Sequence, residues 1–270
     1  MPEYERILLT GAAGRLGSVL RTGLAPLASK IRLAAREPFI DLKPNEEEAV
    51  FDLADMEATI AAVKGCDAIV HFGGAPLESP WQVILDSSIR GSYHIYEGAR
   101  KHGVKRVVYA SSVHAVGFHE VEAHIGVDAP VRPDSLYGVS KNFVESLSRL
   151  YWDKFGIETA CLRIFSSFDA PTDRRHLWSF LTYADCVRLV EASLTAPRVG
   201  HTISFGMSEN KIKTVDNSGA NHLGYTPLDN TEAYRAEVEA KTSMPDPNAL
   251  ATKFLGGYFC ELGHPDDRTD

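Results

Sequence analysis

A tyrosine and a lysine stand four residues apart in Tyr137-Gly138-Val139-Ser140-Lys141, and on a helix that spacing puts both on one face. A neighbouring ammonium favours phenolate and draws a tyrosine pKa down from its reference of about 10, which makes Tyr137 a candidate general base. Ser112, in Ala110-Ser111-Ser112-Val113-His114, follows a β-rich run and could hydrogen-bond the same substrate oxygen. Near the start, Thr10-Gly11-Ala12-Ala13-Gly14-Arg15-Leu16-Gly17 spaces its glycines as G-x-x-G-x-x-G between an apolar run and an amphipathic stretch. Glycines there let backbone approach a pyrophosphate, and the helix that follows presents N–H groups and a positive dipole end. A Y-x-x-x-K pair by itself is often only a solvated neighbour contact. With the glycine turn and the serine, the pair points to a base working on a substrate oxygen beside a bound dinucleotide.

Cofactor choice is written at the end of the second apolar run, Ile31-Arg32-Leu33-Ala34-Ala35-Arg36. An acidic residue there binds the adenosine ribose hydroxyls in NAD-preferring sites. Here Ala35 cannot repel a 2′-phosphate and Arg36 could pair with one, so NADP is the expected preference, with NAD also possible. Asp52-Leu53 follows the third run, where a carboxylate can accept from an adenine amino group, and His71-Phe72-Gly73-Gly74-Ala75 follows the fourth, where small residues permit close approach. Arg174-Arg175-His176 is a cationic cluster in an otherwise acidic chain. A guanidinium fork in that place suits a carboxylate or another planar or tetrahedral anion, against the plainer reading of a basic surface loop.

The elements that must position these groups alternate. Strands are expected at Arg6–Thr10, Ile31–Ala34, Ala49–Phe51, Ala68–Phe72, Arg106–Ala110, Thr159–Ile164 and Thr202–Phe205, most of them continuous apolar runs suited to parallel strands buried on both faces. Helices are expected at Leu16–Ala25, Met56–Val63, Ser87–Lys101 and Leu136–Phe155, then at Thr182–Ala196 behind an approximate capping box with Asp185, and at Thr231–Lys241. This is an α/β pattern: a Rossmann-type doubly wound parallel sheet over 1–165, with 166–270 as a small substrate-side region and an irregular tail from Ser243 packed on the same core. The length of 270 residues, with 44% hydrophobic and 24% charged, fits one globular unit. A formal charge of −8 disfavours nucleic acid or an anionic membrane as partner. No apolar stretch approaches the roughly 18 residues of a membrane span and the acidic start is not a signal peptide, so a cytoplasmic protein is expected. Cys66, Cys161, Cys186 and Cys260 are widely spaced, the first three in apolar contexts, and neither they nor the histidines show metal-ligand spacing, so no metal is expected.

On Thr10–Gly17, Asp52-Leu53, His71–Ala75, Ser112 and Tyr137/Lys141 the chain resembles the extended short-chain dehydrogenase/reductases, the NAD-dependent epimerase/dehydratase family. Within it the chain looks most like the hexuronate (uronate) dehydrogenases, on stretches that include Ala110–Gly117, Arg132-Pro133-Asp134, Leu136–Lys141, Leu223-Gly224-Tyr225 and Gly256-Gly257. The resemblance implies oxidation of a cyclic hexuronate at C1 to an aldarolactone. Tyr137 would be the base, Lys141 would hold the nicotinamide ribose, and Ser112 would orient the hydroxyl. It implies cofactor contacts at Gly11, Gly14, Arg15, Leu16, Gly17, Ala35, Arg36, Asp52, Leu53, Phe72, Gly73, Gly74, Ala75, Tyr137, Lys141 and Ser167. Substrate contacts would fall at Pro76, Ser112, Val113, His114, Ser166 and Arg175, with Arg175 pairing the uronate carboxylate. A homo-oligomer, built as a dimer on the helices at Ser87–Lys101 and Leu136–Phe155, is implied as well.

Several positions depart from the family's pattern. Pro76 and Val113 stand where a serine and an asparagine are expected, Phe165 replaces a glycine, and Ser88 replaces an asparagine. A drier pocket, smaller on one side, is the expectation. Two other readings therefore remain beside the first: an aldose 1-dehydrogenase acting on a neutral or 6-sulfonated sugar, and a cofactor-binding protein without turnover. A nucleotide-sugar epimerase is disfavoured, since the chain is short for a uridine-diphosphate subdomain.

Overall fold

A computed structural model describes residues 3–267. Seven strands form one parallel sheet: β1 (Tyr4–Thr10), β2 (Ala28–Ala35), β3 (Glu46–Val50), β4 (Ala68–His71), β5 (Arg106–Ser112), β6 (Glu158–Ile164) and β7 (His201–Gly206). Their order is β3-β2-β1-β4-β5-β6-β7, so the chain winds outward in both directions from β1 and β4. That reversal opens a crevice at the carboxyl ends of the two strands, the usual ligand site of an open α/β sheet. Each expected strand is present, most of them a residue or two longer.

The apolar runs read as they do because both faces of the sheet are covered. Side chains alternate along β1, so Ile7 and Leu9 pack with Leu20 of α1 (Arg15–Gly23) and its C-cap Leu24, while Leu8 faces the other layer with Ile69, Ile95 and Tyr96. The first layer also holds Leu189 and Val190 of the helix over Tyr183–Thr195. The second is roofed by α2 (Met56–Val63), by Gly91–His102 and by α3 (Leu136–Phe155). Helix ends follow local chemistry: Asp55 accepts from Ala58 N (3.0 Å), Ser135 accepts from Gly138 N (3.0 Å), and α3 stops at Gly156 with φ 63°.

Three expectations are corrected. The capping box at Thr182 is only half made, because Thr182 Oγ1 accepts from Asp185 N (3.1 Å) but the Asp185 carboxylate turns to Leu228 N, Asp229 N and Arg188. The helix expected from Ser87 begins earlier and is π-helical over Ile84–Arg90; the wide turn brings Ser88 Oγ to Ala75 N (3.0 Å), and Gly91 passes Leu53 where a Cβ would come within 2.7 Å. The tail is not irregular throughout. It folds back as a turn at Leu250–Lys253 and a 3₁₀ segment at Gly257–Glu261, pinned by Leu255 N to His119 O and Gly256 N to Gly117 O (both 2.9 Å). Cys260 joins the other three cysteines as buried and free. Among the described residues no helix is long and apolar enough to cross a membrane.

Candidate active site

The glycine turn lies at the carboxyl end of β1. Gly11 takes φ 68°, and a Cβ on it would lie 2.5 Å from Phe72 O; a Cβ on Gly17 would lie 2.0 Å from Gly11 O. Only glycine lets the turn and the β4 loop pass this closely. Gly14 caps α1 without a side-chain hydrogen bond, so the first N–H groups of the helix, at Arg15, Leu16 and Gly17, are left for a ligand. The cradle therefore fits a dinucleotide pyrophosphate. Arg15 lies over the Phe168 ring (4.7 Å), which brings the loop after β6 across this turn. Behind it, Gly73 N donates to Thr10 Oγ1 (3.0 Å), which hydrogen-bonds His71 Nδ1 (2.7 Å); His71 Nε2 reaches Ser92 Oγ (3.0 Å), which donates to Ser88 O (2.6 Å). Burial holds the His71 imidazole neutral, its pKa brought down to about 3. This chain of bonds fixes the loop of Phe72, Gly73, Gly74 and Ala75 to the sheet. Asp52, exposed, accepts from Ala54 N (2.8 Å), and Leu53 packs beside Gly73. Ala35 is half-buried at the end of β2, and Arg36 is exposed with no ion-pair or hydrogen-bond partner among the described residues.

Tyr137 and Lys141 occupy the first turns of α3, and Ser112 ends the adjacent β5. The Ser112 hydroxyl lies beside the Tyr137 phenol, and the Lys141 ammonium lies 4.9 Å from the Tyr137 ring centroid while donating to Ala110 O (2.8 Å). One expectation fails here. In the protein alone, burial outweighs everything else at the phenol and pushes its pKa up to about 12, while burial brings Lys141 down to about 8. The Ser112 hydroxyl beside the phenol opposes that rise only in part. A carboxylate steadies the same helix end: Glu78 accepts from Leu136 N (3.1 Å) and Tyr137 N (2.7 Å).

The cationic cluster separates. Arg174 turns outward to carbonyls of Glu239, Thr242 and Ser243, whereas the Arg175 guanidinium is enclosed. Arg175 Nη1 donates to Ser166 Oγ (2.9 Å) and Ser179 Oγ (3.2 Å), and Nη2 donates to Leu255 O. Its Nε is buried without a partner, against Gly257, where a Cβ would come within 2.6 Å. No carboxylate lies within ion-pair distance among the described residues, and burial lowers the pKa of the group. A buried cation without a counter-ion is costly, and an anionic ligand would relieve it. Nε faces the glycine and Nη1 is already engaged by the two serines, so the fork does not present two free parallel donors.

His114 connects this corner to the tyrosine. Its ring stacks on Phe259 (3.8 Å between centroids) and meets Tyr137 edge-on (5.7 Å), and its Nδ1 donates to Asp134 Oδ2 (2.7 Å). The tail thus supplies Leu255, Gly257 and Phe259 to the site. Other expected contacts fall differently. Val113 is buried in an apolar cluster with Val116, Phe205, Met207 and Leu255. Phe165 is buried in the same cluster against Trp178 and Phe205. Ser167 is buried and its hydroxyl donates to Leu181 O (2.8 Å), and Pro76 is exposed. A cavity of about 420 Å³ lined by Phe168, Asp169, Tyr183 and Asp229 contains none of the expected catalytic side chains. Among the described residues no group of three His, Cys, Asp or Glu side chains is placed to hold a metal. Asp134, Glu78 and Phe259 were not expected as site residues. The Gly256-Gly257 pair, a turn signal in the tail, was the available hint of the last.

Comparison with known proteins agrees with this geometry. The family model described as NAD dependent epimerase/dehydratase matches residues 7–199. A curated uronate dehydrogenase from Pseudomonas putida is 46% identical over 263 residues, covering 96% of this chain and 97% of the relative. Among solved structures, the glucuronic acid dehydrogenase from Chromohalobacter salexigens superposes with a TM-score of 0.96 at 42% identity, covering 98% of this chain and 100% of that one. A mutant uronate dehydrogenase from Agrobacterium tumefaciens complexed with NAD gives 0.93 at 46% identity, covering 96% and 98%.

Proposed function

The chain belongs to the NAD dependent epimerase/dehydratase family, and from that premise we propose that it is an NAD(P)-dependent oxidoreductase that oxidises C1 of a cyclic hexuronate to the aldarolactone. One observation carries the reading: a Ser112–Tyr137–Lys141 cluster at the mouth of a dinucleotide crevice is joined, through His114 and the tail, to an enclosed Arg175 guanidinium that has no carboxylate of its own.

Arg15, Leu16 and Gly17 would hold the pyrophosphate through backbone N–H groups, Asp52 and Leu53 would flank the adenine, and Tyr137 and Lys141 would meet the nicotinamide ribose. The dinucleotide, when bound, supplies the hydride acceptor. Ser112 orients the anomeric hydroxyl, and the Tyr137 oxygen takes its proton. Carbon C1 loses a hydride to the dinucleotide as the hydroxyl loses its proton to Tyr137, and the C1–O bond becomes the lactone carbonyl, so two electrons and two protons leave the sugar in all. Since burial alone raises the phenol, positive charge near it must favour the phenolate; Lys141 supplies one such charge. Arg175 and Ser166 would bind the C6 carboxylate.

Cofactor selection is read from the end of β2: with no acid at Ala35 and an unpaired Arg36, NADP is accepted and preferred. The buried Val113 and exposed Pro76 support a second reading, an aldose 1-dehydrogenase with fewer hydroxyl contacts that accepts a neutral or 6-sulfonated sugar. A homo-oligomer is supported by exposed apolar side chains on the outer helices, among them Tyr93, Val139, Phe143 and Leu150.

The test is a panel of uronic acids, neutral aldoses and 6-sulfonated hexoses, each with NAD and with NADP, followed at the reduced-nicotinamide absorbance. A uronate oxidised faster than every neutral sugar supports the first reading. Removing Arg175 as Arg175→Ala should raise KM for an anionic sugar by about 10- to 200-fold, the range for a lost charge-assisted contact of ~1.5–3 kcal/mol, and leave a neutral one nearly unchanged. A tenfold advantage of NAD in kcat/KM would overturn the reading of Ala35 and Arg36.

A further inference from the structure

We infer that Asp134 is a positioning residue for this reaction: its buried carboxylate fixes the His114 imidazole with the proton on Nδ1, so that Nε2 accepts a sugar hydroxyl beside Tyr137. The inference rests on the sugar-oxidising reading above.

Asp134 sits in the loop just before α3, and its side chain is 0% exposed. Both carboxylate oxygens are used. Oδ2 accepts from His114 Nδ1 (2.7 Å) and Oδ1 accepts from Ser135 Oγ (2.7 Å). The space it fills is kept clear by two glycines far apart in the chain: a Cβ on Gly117 or on Gly256 would lie 1.8 Å from Oδ2. The imidazole is held on every other side as well. Its face stacks on Phe259 at 25°, its edge meets Tyr137 at 68°, and its own backbone N–H donates to Ser112 Oγ (3.3 Å). One ring nitrogen is left over. Nε2 has no partner among the described residues, and the side chain keeps 15% exposure.

The chemistry follows from the inventory of donors. A carboxylate only accepts, so Nδ1 must carry the hydrogen, and a neutral ring then presents a lone pair at Nε2. Cyclic sugars offer hydroxyl donors next to the reacting carbon. An acceptor held two residues from Ser112 and against the Tyr137 ring can set the roll of the sugar over those two groups. Ser135 already caps α3 through its own hydroxyl, so a plain structural reading would make Asp134 only the anchor of that cap. The two roles separate experimentally.

Asp134→Asn keeps the shape but offers an amide donor to Nδ1, which moves the ring proton to Nε2 and reverses the polarity presented to the sugar. The expected result is a rise in sugar KM of about tenfold or more, the scale of one mismatched hydrogen bond, with dinucleotide affinity unchanged. In a His114→Ala background the same substitution should cost nothing further. Nitrogen-15 NMR of the His114 ring should show the Nδ1–H tautomer in the unmodified protein and Nε2–H in Asp134→Asn. An Nε2–H tautomer in the unmodified protein, an unchanged sugar KM in Asp134→Asn, or an additive loss in the double variant would each overturn the inference. The tautomer is read without turnover, so it decides the matter even if Asp134→Asn fails to fold. If the unmodified enzyme oxidises no sugar, the functional reading falls separately.

Discussion

The enclosure of Tyr137 sets the demands on the residues around it. Burial favours the neutral phenol and places it at about 12, so activity should rise with pH as the base ionises, and every positive charge beside it should pull that rise to lower pH. Replacing Lys141 by Met removes one charge. The rising limb of kcat/KM should then move to higher pH, and an unmoved limb would show that the ammonium serves only to hold the ribose. Tyr137→Phe should lower kcat by about 10²- to 10⁴-fold, the usual worth of general base catalysis, while dinucleotide binding by fluorescence titration stays near that of the unmodified protein. The cluster of Tyr137, Lys141 and Ser112 was readable from residue types and spacing because what these side chains can offer chemically follows from residue identity. Asp134 and Phe259 were not, since a buried carboxylate and a stacking ring gain meaning only from neighbours distant in the chain. The pKa direction at Tyr137 was misread for the same cause: spacing reports a nearby lysine, but enclosure comes from the whole fold.

Between β1, β4 and the π-helical Ile84–Arg90 runs the line of hydrogen bonds through Thr10, His71 and Ser92, and it makes the crevice sensitive to acid. His71 is held neutral with a pKa of about 3, against an ordinary 6.5 when the chain unfolds. Its folded pKa is depressed, so the unfolded chain binds the extra proton first. Stability is full above about pH 6.5, declines as pH falls from there towards 3, and is constant below. Denaturant midpoints measured from pH 8 to 4 should fall with acid, and His71→Gln should flatten that dependence at some cost in stability at neutral pH. Equal slopes would show that other groups carry the acid response. The strands themselves were readable as apolar runs because parallel strands covered on both sides leave no polar face. The π turn was not: periodicity resembles an ordinary helix until Ser88 and Gly91 are seen against Ala75 and Leu53.

Across the whole molecule the tail matters more than its composition implied. Rich in Pro, Gly and Asp, it looked like a loose end, yet residues after Ser243 return to the site, and Gly257 packs against Arg175 at φ 62°. Gly257→Ala places a methyl 2.6 Å from Arg175 Nε in a backbone region that disfavours side chains. Sugar KM should rise by about tenfold or more, by analogy with loss of one charge-assisted contact, while dinucleotide affinity measured by titration holds. Equal losses of both affinities would mean that the tail supports the whole crevice instead of one side. This return of the tail also orders events during synthesis. The sheet from β1 to β6 and the glycine turn have left the ribosome long before Leu255 and Phe259 are translated, so a nascent chain could hold a dinucleotide while still blind to sugar, and translation of Leu255 through Phe259 completes the second half of the pocket.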